Sequence, residues 1–433
     1  MKRNISTWLL LLLTVNGFSQ ETIYPAKPQI KKIIITGGTV HVGNGTVLEN
    51  NGAIVVENGK IMAVGNAATD NNATVINASG KHIYPGLILA SSNLGLQEIT
   101  GSVRGTNDVF EIGDLNPNVR SIVAYNTDSR IINTLRSNGI LLANVVPRGS
   151  VIGGSSSTVQ LDAWTWEDAA YRTDYGMHFY MPSLFSRPNP FAAQFGGQPP
   201  VDALKRGLEQ IEGVKQFFRE AKAWIQQPNK TTTNLKLDAV KGLFEKKQRL
   251  FIHCNIVKEM LIAIDFVKEF GFDVTLVGAQ DSWQIADLLK QHNISVILQQ
   301  THNLPTLDDD DVDLPYKTPA LLQKAGVLFA LSDEDGQTRG RNLPFNAGTS
   351  AAYGLTKEQA LSSITLNAAT ILGIADRTGT IEAGKDANLV ISDGDILDMR
   401  SSIITHAFIQ GRAINLDDKH KQLNERYVKK YGL

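Results

Sequence analysis

The sequence has 433 residues, of which 42% are hydrophobic, 20% are charged and 7% are aromatic. This composition excludes a disordered chain, a coiled coil and a collagen-like repeat. The 42 lysines and arginines nearly balance the 43 aspartates and glutamates, so the net charge of −1 does not indicate a nucleic-acid partner. The single cysteine, Cys254, excludes an intramolecular disulfide and a cysteine-rich zinc or iron–sulfur site.

The amino terminus has the order of a secretory signal. Lys2 and Arg3 precede an apolar block at residues 8–15, and the small residues Gly17 and Ser19 follow it. The block is too short to form a membrane-spanning helix in the mature chain. We expect residues 1–19 to be a cleaved signal peptide and the protein to be exported, either periplasmic or secreted. The alternative interpretation is an uncleaved anchor.

The first part of the mature chain has the pattern of a small β domain. Short apolar runs at 32–36, 53–56, 60–64 and 74–76 predict strands. Asn58-Gly59 predicts a tight hairpin between the second and third strands, because both residues tolerate positive φ. The nearly continuous apolar run at 83–90 is typical of a strand that is buried on both faces.

The middle of the chain alternates predicted strands with predicted helices, which indicates a parallel sheet or a (β/α) barrel. Residues 147–200 are rich in Gly, Ser and Pro, and their strand register cannot be assigned; we expect residues 149–158 to form a loop over the barrel mouth. The predicted strands lie at 140–146, 250–252, 274–277, 294–298 and 327–331, and the predicted helices at 128–137, 201–225, 257–270, 282–292 and 319–324.

The end of the chain returns to β structure, with predicted strands at 388–391, 403–409 and 413–415 before a charged tail. The order β, then (β/α), then β predicts a small β domain that is assembled from both chain ends, with a barrel inserted between them. No internal repeat is detectable.

Three segments carry a resemblance to a known family. They are GKHIYPGLI at 80–88, FIH at 251–253 and GTIEAGKDANLV at 379–390. In content and separation they resemble the amidohydrolase superfamily, in particular the secreted imidazolonepropionase-like amidohydrolases. The resemblance implies a TIM-like (β/α)8 barrel at 81–377, a composite β-sandwich domain from 28–80 plus 378–415, and a charged tail at 416–433. It also implies a hydrolase that acts on non-peptide C–N bonds such as those of cyclic amides.

The same resemblance implies metal ligands at the carboxyl ends of the barrel strands, and most of these positions are substituted. Ser91 and Asn93 lie where members have the two histidines of an Asp-x-His-x-His segment, and Gly278 lies where they have the histidine of strand six. His253 and Asp333 match the strand-five and strand-eight ligands, and Asp333 is the implied catalytic base. Because catalytic zinc usually needs three protein ligands, we expect no resident metal and a degenerate, pseudoenzyme-like member.

Other functions stay open. His302 follows the predicted seventh strand, and with His253 and Asp333 it would complete a remodelled site for one divalent metal, zinc or iron. A second alternative is a non-catalytic binding protein or partner subunit, either as a homo-oligomer or with an active amidohydrolase. We expect a small-molecule ligand at the barrel mouth, no nucleic acid and no membrane span in the mature chain.

Overall fold

A computed structural model describes residues 23–65, 70–98, 107–184, 202–305, 309–333 and 339–433, apart from the side chains of Asn50 and Asn51. The predicted signal peptide at 1–19 lies outside the described residues. Within the described part of the chain, no helix is both long enough and apolar enough to cross a membrane.

The described residues form two eight-stranded sheets. In chain order the strands are β1 (Ile33–His41), β2 (Val47–Glu57), β3 (Lys60–Gly65), β4 (Thr74–Asn77), β5 (His82–Pro85), β6 (Leu87–Ser92), β7 (Ile140–Val145), β8 (Ile152–Gln160), β9 (Ala170–Tyr180), β10 (Arg249–Cys254), β11 (Val274–Gly278), β12 (Ser295–Leu298), β13 (Phe329–Leu331), β14 (Leu389–Ser392), β15 (Ile404–Ile409) and β16 (Arg412–Ala413).

The described α-helices cluster between the barrel strands and after them. They are α1 (Ser121–Ala124), α2 (Arg130–Arg136), α3 (Trp166–Ala169), α4 (Ala203–Ile225), α5 (Leu235–Ala239), α6 (Lys241–Phe244), α7 (Val257–Phe270), α8 (Ala286–Gln291), α9 (Leu314–Ala325), α10 (Leu343–Ala352), α11 (Lys357–Ser363), α12 (Leu366–Ile371) and α13 (Lys419–Tyr431). Short 3-10 helices occur at Gln280–Ile285, in place of the first half of a predicted α-helix, and at Arg339–Asn342.

The first sheet is built from both chain ends, as the sequence predicts. Its order is β16-β15-β14-β5-β1-β2-β3, with β4 paired to β1. The predicted hairpin is confirmed between β2 and β3, where Asn58 and Gly59 have φ of 51° and 76°. Apolar residues from both ends, including Ile35 and Leu389, form one separate core under this curled sheet.

The second sheet is a nearly closed barrel in the order β13-β12-β11-β10-β9-β8-β7-β6. Strands β9 to β13 are parallel, and so are β6 and β7, which is the arrangement that repeated strand–helix units predict. At the seam between β6 and β13, the hydroxyl of Ser332 accepts a hydrogen bond from the Ser91 N–H (2.8 Å) and donates one to the Ser91 carbonyl (2.9 Å). The Ser332 side chain therefore hydrogen-bonds the first barrel strand to the segment that follows the last.

Two predictions from the sequence are wrong in detail. The stretch 149–158 is not a loop over the mouth, because most of it belongs to β8, which is buried along its length and runs antiparallel to both β7 and β9. The apolar run 83–90 is not one strand, because it divides between β5 in the first sheet and β6 in the barrel. Gly86 stands at the division, where a Cβ atom would lie 2.7 Å from the Leu141 side chain.

A buried ion-pair network joins the chain ends to the barrel. Asp162 is fully buried; it binds Arg136 of α2 and Arg412 of β16 (3.0 Å), and it accepts the Ala26 N–H (2.9 Å). The Arg136 side chain is only 4% exposed. Because water does not reach these charged side chains, each depends on its ion-pair partner for stabilisation.

We predict that Asp162→Asn lowers the free energy of unfolding by roughly 3–5 kcal/mol, because it leaves the buried Arg136 guanidinium without its counter-charge. Urea denaturation monitored by circular dichroism measures the change. The matched control is Asp393→Asn, which breaks the partly exposed pair with Lys81 (2.7 Å) and should cost at most about 1 kcal/mol. Equal losses in the two variants would contradict the proposed importance of the network.

Candidate functional site at the barrel mouth

The barrel mouth is the face at which the parallel barrel strands end, and it holds the residues singled out from the sequence. Ser91 and Ser92 end β6, His253 lies near the end of β10, and Gly278 ends β11. His302 follows β12 and Asp333 follows β13. Active sites of (β/α) barrels lie at this face because the loops there can vary without disturbing the strands.

Asp333, the implied catalytic base, is bound by an arginine. It is 1% exposed, and Arg339 donates to its carboxylate from Nε (3.0 Å to Oδ1 and 3.1 Å to Oδ2) and from Nη2 (2.9 Å to Oδ1). A guanidinium that contacts both carboxylate oxygens forms one of the stronger ion-pair geometries in proteins. Arg339 therefore supplies the positive charge that a metal ion would otherwise give to this carboxylate.

His253 is paired with a second histidine that the sequence analysis did not identify. Its Nε2 lies 2.9 Å from Nδ1 of His178 in β9, and its ring stacks on Tyr180 with a centroid distance of 4.0 Å. The parallel register pairs Phe251 with His178 and His253 with Tyr180, so these side chains share one face of the sheet. The Tyr180 hydroxyl donates to the Pro147 carbonyl at 2.7 Å, which fixes the stacking ring.

His178 is held in its neutral form inside the barrel. The residue is 0% exposed, and its ring stacks on Phe251 at 5.0 Å. Burial, together with the adjacent His253, holds the pKa of His178 well below its usual value. Its Nε2 atom is buried without a hydrogen-bond partner among the described residues, as is the hydroxyl of Ser156 in β8. The barrel interior thus contains polar atoms that no described residue pairs.

His302 points toward neighbouring helices. It is exposed, its Nε2 lies 2.8 Å from Oγ1 of Thr349 in α10, and its ring meets Tyr316 of α9 edge to face at 5.9 Å. Across the described ranges, no three His, Cys, Asp or Glu side chains come together in a group that could hold a metal ion. The structure therefore does not bring His253, His302 and Asp333 together as a ligand set, and the remodelled metal site stays a prediction.

The substituted positions are built into the wall of the mouth. Gly278 has φ of +89°, and a Cβ atom there would lie 2.5 Å from Oδ1 of Asn255, so the Asn255 amide occupies the space that a side chain would need. The next residue, Ala279, also has positive φ (45°). Ser91 is engaged in the seam with Ser332, and Asn93 is 5% exposed with a buried Oδ1 that has no partner among the described residues.

These residues do not fit the metal that the fold implies. The set offers a hydroxyl, an amide, a single imidazole and a carboxylate that is bonded to arginine. Zinc prefers imidazole, thiolate or free carboxylate, and it usually needs three of them. Cys254 does not help, because it is buried and its surroundings raise the pKa of the thiol far above the usual value.

A narrow cavity opens beside the mouth. Together with its opening to solvent it measures about 440 Å³. It is narrow, so it admits a slim group and not a bulky ligand. Its described lining combines apolar and neutral polar side chains with Gly278, namely Gln280, Leu298, Gln299, Gln300, Thr301, Leu304, Pro305, Leu314, Pro315 and Thr318.

Three contributors to the site were missed from the sequence alone: His178, Asn255 and Arg339. A single histidine in the apolar run MHFY at 177–180 was a usable signal for His178, but it lies in the segment whose register was ambiguous. Asn255 directly follows the FIHC strand, and Arg339 follows Asp333 by six residues. Nothing in their spacing alone indicates that they fill a ligand position or neutralise a carboxylate.

We predict that Gly278→Ala lowers the free energy of unfolding by about 1–3 kcal/mol, because alanine is strained at this φ and meets the Asn255 amide. Gly213→Ala is the matched control, since Gly213 lies in α4 with no atom within 4 Å of the added Cβ, and it should stabilise the protein by about 0.5–1 kcal/mol. Thermal denaturation measures both changes. A neutral or stabilising Gly278→Ala would show that the position can accept a side chain.

We predict that His178 makes the protein less stable as the pH falls below about 6.5, the usual pKa of histidine. The pKa of His178 is low in the folded state, so the unfolded state takes up the proton first and unfolding is favoured. In His178→Gln the free energy of unfolding should fall less steeply between pH 7 and 5, by up to about 1.4 kcal/mol per pH unit. His302→Gln, which removes an exposed imidazole, is the control. An unchanged slope in His178→Gln would contradict the prediction.

Comparison with known proteins agrees with this architecture. A model of the amidohydrolase family matches residues 285–416. Amidohydrolase tasK of Hapsidospora irregularis is 22% identical over 380 residues, a match that covers 79% of this chain and 37% of that protein. The chain therefore spans little more than a third of the length of that relative. An imidazolonepropionase of Thermoplasma volcanium is 36% identical over 86 residues, which are 19% of this chain and 21% of the relative.

Solved structures extend the similarity to most of the chain. An amidohydrolase from Thermotoga maritima matches with a TM-score of 0.77 and 25% identity, and the match covers 88% of this chain and 99% of that one. A prolidase in complex with N-methylphosphonate-L-proline matches with a TM-score of 0.56 and 16% identity, over 89% of this chain and 99% of the prolidase, which supports the fold alone. The barrel, the sheet built from both chain ends, the family model over residues 285–416 and these relatives together support the amidohydrolase superfamily as the family that this chain resembles.

Proposed function

We propose that the protein binds small, neutral amide compounds at the barrel mouth and does not hydrolyse them by a metal-assisted route. The observation that carries this proposal is the state of Asp333, whose two carboxylate oxygens accept three hydrogen bonds from Arg339. In a metal-dependent hydrolase of this fold the equivalent carboxylate takes a proton from activated water, which requires a metal and an accessible oxygen. The family resemblance places Ser91, Asn93 and Gly278 at positions where such a hydrolase has histidine.

The neutral lining of the mouth cavity supports an amide as the ligand class. The side-chain amides of Gln299 and Gln300 take part in no hydrogen bond within the described parts of the chain, so they can donate to a carbonyl and accept from an N–H. Leu298, Pro305 and Pro315 offer apolar contact on the same cavity. A small amide matches this combination, whereas an ion would lose its hydration without gaining a counter-charge.

Hydrolysis of C–N bonds is the second candidate function. It is favoured by the similarity to the Thermotoga maritima amidohydrolase along 88% of the chain and by relatives that are named imidazolonepropionase. His253 and Asp333 would have to act in a remodelled site with one divalent metal. That function requires Arg339 to release Asp333, and it requires a third ligand that the described residues do not supply.

We predict that acetamide and N-methylacetamide, which are slim enough for the narrow cavity, bind to the purified protein and are not consumed. Saturation-transfer NMR should detect binding, and Gln299→Leu should weaken it by about 1–2 kcal/mol, or roughly five- to thirtyfold, because a hydrogen bond to the amide is lost. Gln216→Leu, at an exposed position of α4, is the matched control and should bind like the unchanged protein.

The same samples test hydrolysis. Amide consumption is followed by NMR with and without added Zn²⁺, and an active imidazolonepropionase with its own substrate serves as the positive control. Failure of both amides to bind would overturn the binding proposal. Turnover together with bound metal, both lost in His253→Ala, would replace it with the second candidate.

A further inference from the structure

The second cluster of histidines lies away from the barrel mouth. His41 ends β1 and His82 begins β5, so both belong to the sheet that is built from the chain ends. Strand β5 ends at Pro85, just before the first barrel strand begins at Leu87. The cluster is therefore on the amino-terminal side of the barrel, opposite the mouth, and the mouth chemistry does not use it.

The two imidazoles face each other through their nitrogens. His41 Nε2 lies 3.0 Å from His82 Nδ1. Two nitrogen ligands at about 2.0–2.1 Å from one ion lie about 2.9–3.4 Å apart, for angles from square-planar to tetrahedral. In the absence of an ion, His82 Nδ1–H donates to His41 Nε2. The separation also fits two neighbouring ligands of one transition-metal ion, which would take the place of that proton while His82 is protonated on Nε2 instead.

The outer nitrogen of His41 is bound by a carboxylate. Its Nδ1 lies 2.7 Å from Oε1 of Glu358, the second residue of α11. Because the carboxylate accepts the proton of Nδ1, the lone pair of His41 is on Nε2, the atom that faces His82. A carboxylate behind a histidine in this way is the usual outer partner of a metal-binding imidazole. Tyr84 stacks on the same ring at 4.5 Å and holds its plane.

The charges around the pair favour a cation. Glu358 and Asp395 contribute two negative charges to the surrounding cavity, and Lys357 contributes one positive charge as the partner of Asp395 (2.7 Å). The second oxygen of Glu358, Oε2, is buried and has no hydrogen-bond partner among the described residues. An uncompensated carboxylate oxygen in a partly buried site is costly unless positive charge lies nearby.

Space for an ion and its remaining ligands is present. Together with its opening to solvent the cavity measures about 570 Å³, and its described lining is His41, His82, Tyr84, Lys357, Glu358, Leu361, Asp395 and Leu397. The side chains of His41 and Glu358 are 15% and 20% exposed, so solvent can reach the pair. Water molecules can therefore complete the coordination of an ion that has only two protein ligands.

We propose that His41 and His82 form a binding site for a single Cu²⁺ ion, with Glu358 as the residue that orients His41. The ion joins β1 and β5, and through Glu358 it connects the sheet built from the chain ends to helix α11. Two neutral imidazoles in neighbouring positions suit Cu²⁺ best, because this ion prefers tetragonal coordination by nitrogen and oxygen. The proposal is independent of the function proposed for the barrel mouth.

The test titrates Cu²⁺ into the full chain after metal removal, with isothermal calorimetry at pH 7.5. We expect one equivalent of bound metal, its loss in His82→Gln, and an affinity about 10–100-fold lower in Glu358→Gln. His406→Gln, at an exposed histidine of β15, is the matched control and should keep the stoichiometry, and His253→Gln reports separately on the barrel mouth. The absence of binding in the unchanged protein, or equal binding in His82→Gln, would overturn the proposal.

Two further measurements test the proposed metal site even if one of the variants folds poorly. Electron paramagnetic resonance of the Cu²⁺ form of the unchanged protein should show coupling to two imidazole nitrogens, and coupling to fewer would overturn the proposal. Metal binding that is retained in His82→Gln but lost in His253→Gln would occur at the barrel mouth. That pattern would overturn both this site and the metal-free function of the mouth, whereas loss only in His82→Gln would support this site and leave the mouth unchanged.

Discussion

The polar groups at the mouth of the barrel are held by partners from the same chain, and this constraint shapes the rest of the site. Arg339 binds the carboxylate of Asp333, His178 binds His253, and the Asn255 amide fills the space beside Gly278. In an active metal-dependent relative, such groups would be kept in place by a metal ion. Here the protein supplies the charge and the hydrogen bonds itself, so the barrel mouth can keep its shape without one.

This arrangement explains how the fold can persist while the chemistry changes. The barrel is stabilised by buried apolar strands and by seams such as the one between Ser91 and Ser332, none of which depends on an ion. If Ser91, Asn93 and Gly278 replace ligand histidines, as the resemblance implies, the change removes donors from the mouth but little from the core. A fold therefore constrains which face of the barrel is functional, whereas the side chains at that face decide what reaction is available.

Much of the fold could be predicted from the sequence because local patterns determine it. The Asn58-Gly59 hairpin, helix α7 and the return of the chain into the first sheet follow from turn chemistry and hydrophobic periodicity. Strand β8 was missed because Gly and Ser are typical of loops, and their place in a barrel wall depends on packing between neighbours that are far apart in sequence. The division at Gly86 was missed because two buried strands in different sheets give one continuous apolar run.

The candidate site was only partly predictable, for a related reason. The positions of His253 and Asp333 follow from the segments that resemble the family, but their partners come from other elements. The role of Arg339 depends on the path of the chain after β13, and the role of His178 depends on the register of β9 against β10. Contacts between side chains on different strands leave no local pattern, so sequence reasoning can name a substituted ligand but not its replacement.

The two histidine pairs of this protein show how the surroundings of an imidazole determine its use. His178 and His253 lie in a barrel wall among Phe251 and Tyr180, where burial lowers the pKa of His178. His41 and His82 have a similar nitrogen-to-nitrogen distance, but there a carboxylate binds the outer nitrogen and a cavity adjoins the pair. Neutral imidazoles enclosed by aromatic rings are suited to packing, whereas imidazoles with an anionic partner and access to water are suited to binding a cation. On this reasoning the chain's capacity for metal lies outside the face where its family would place it.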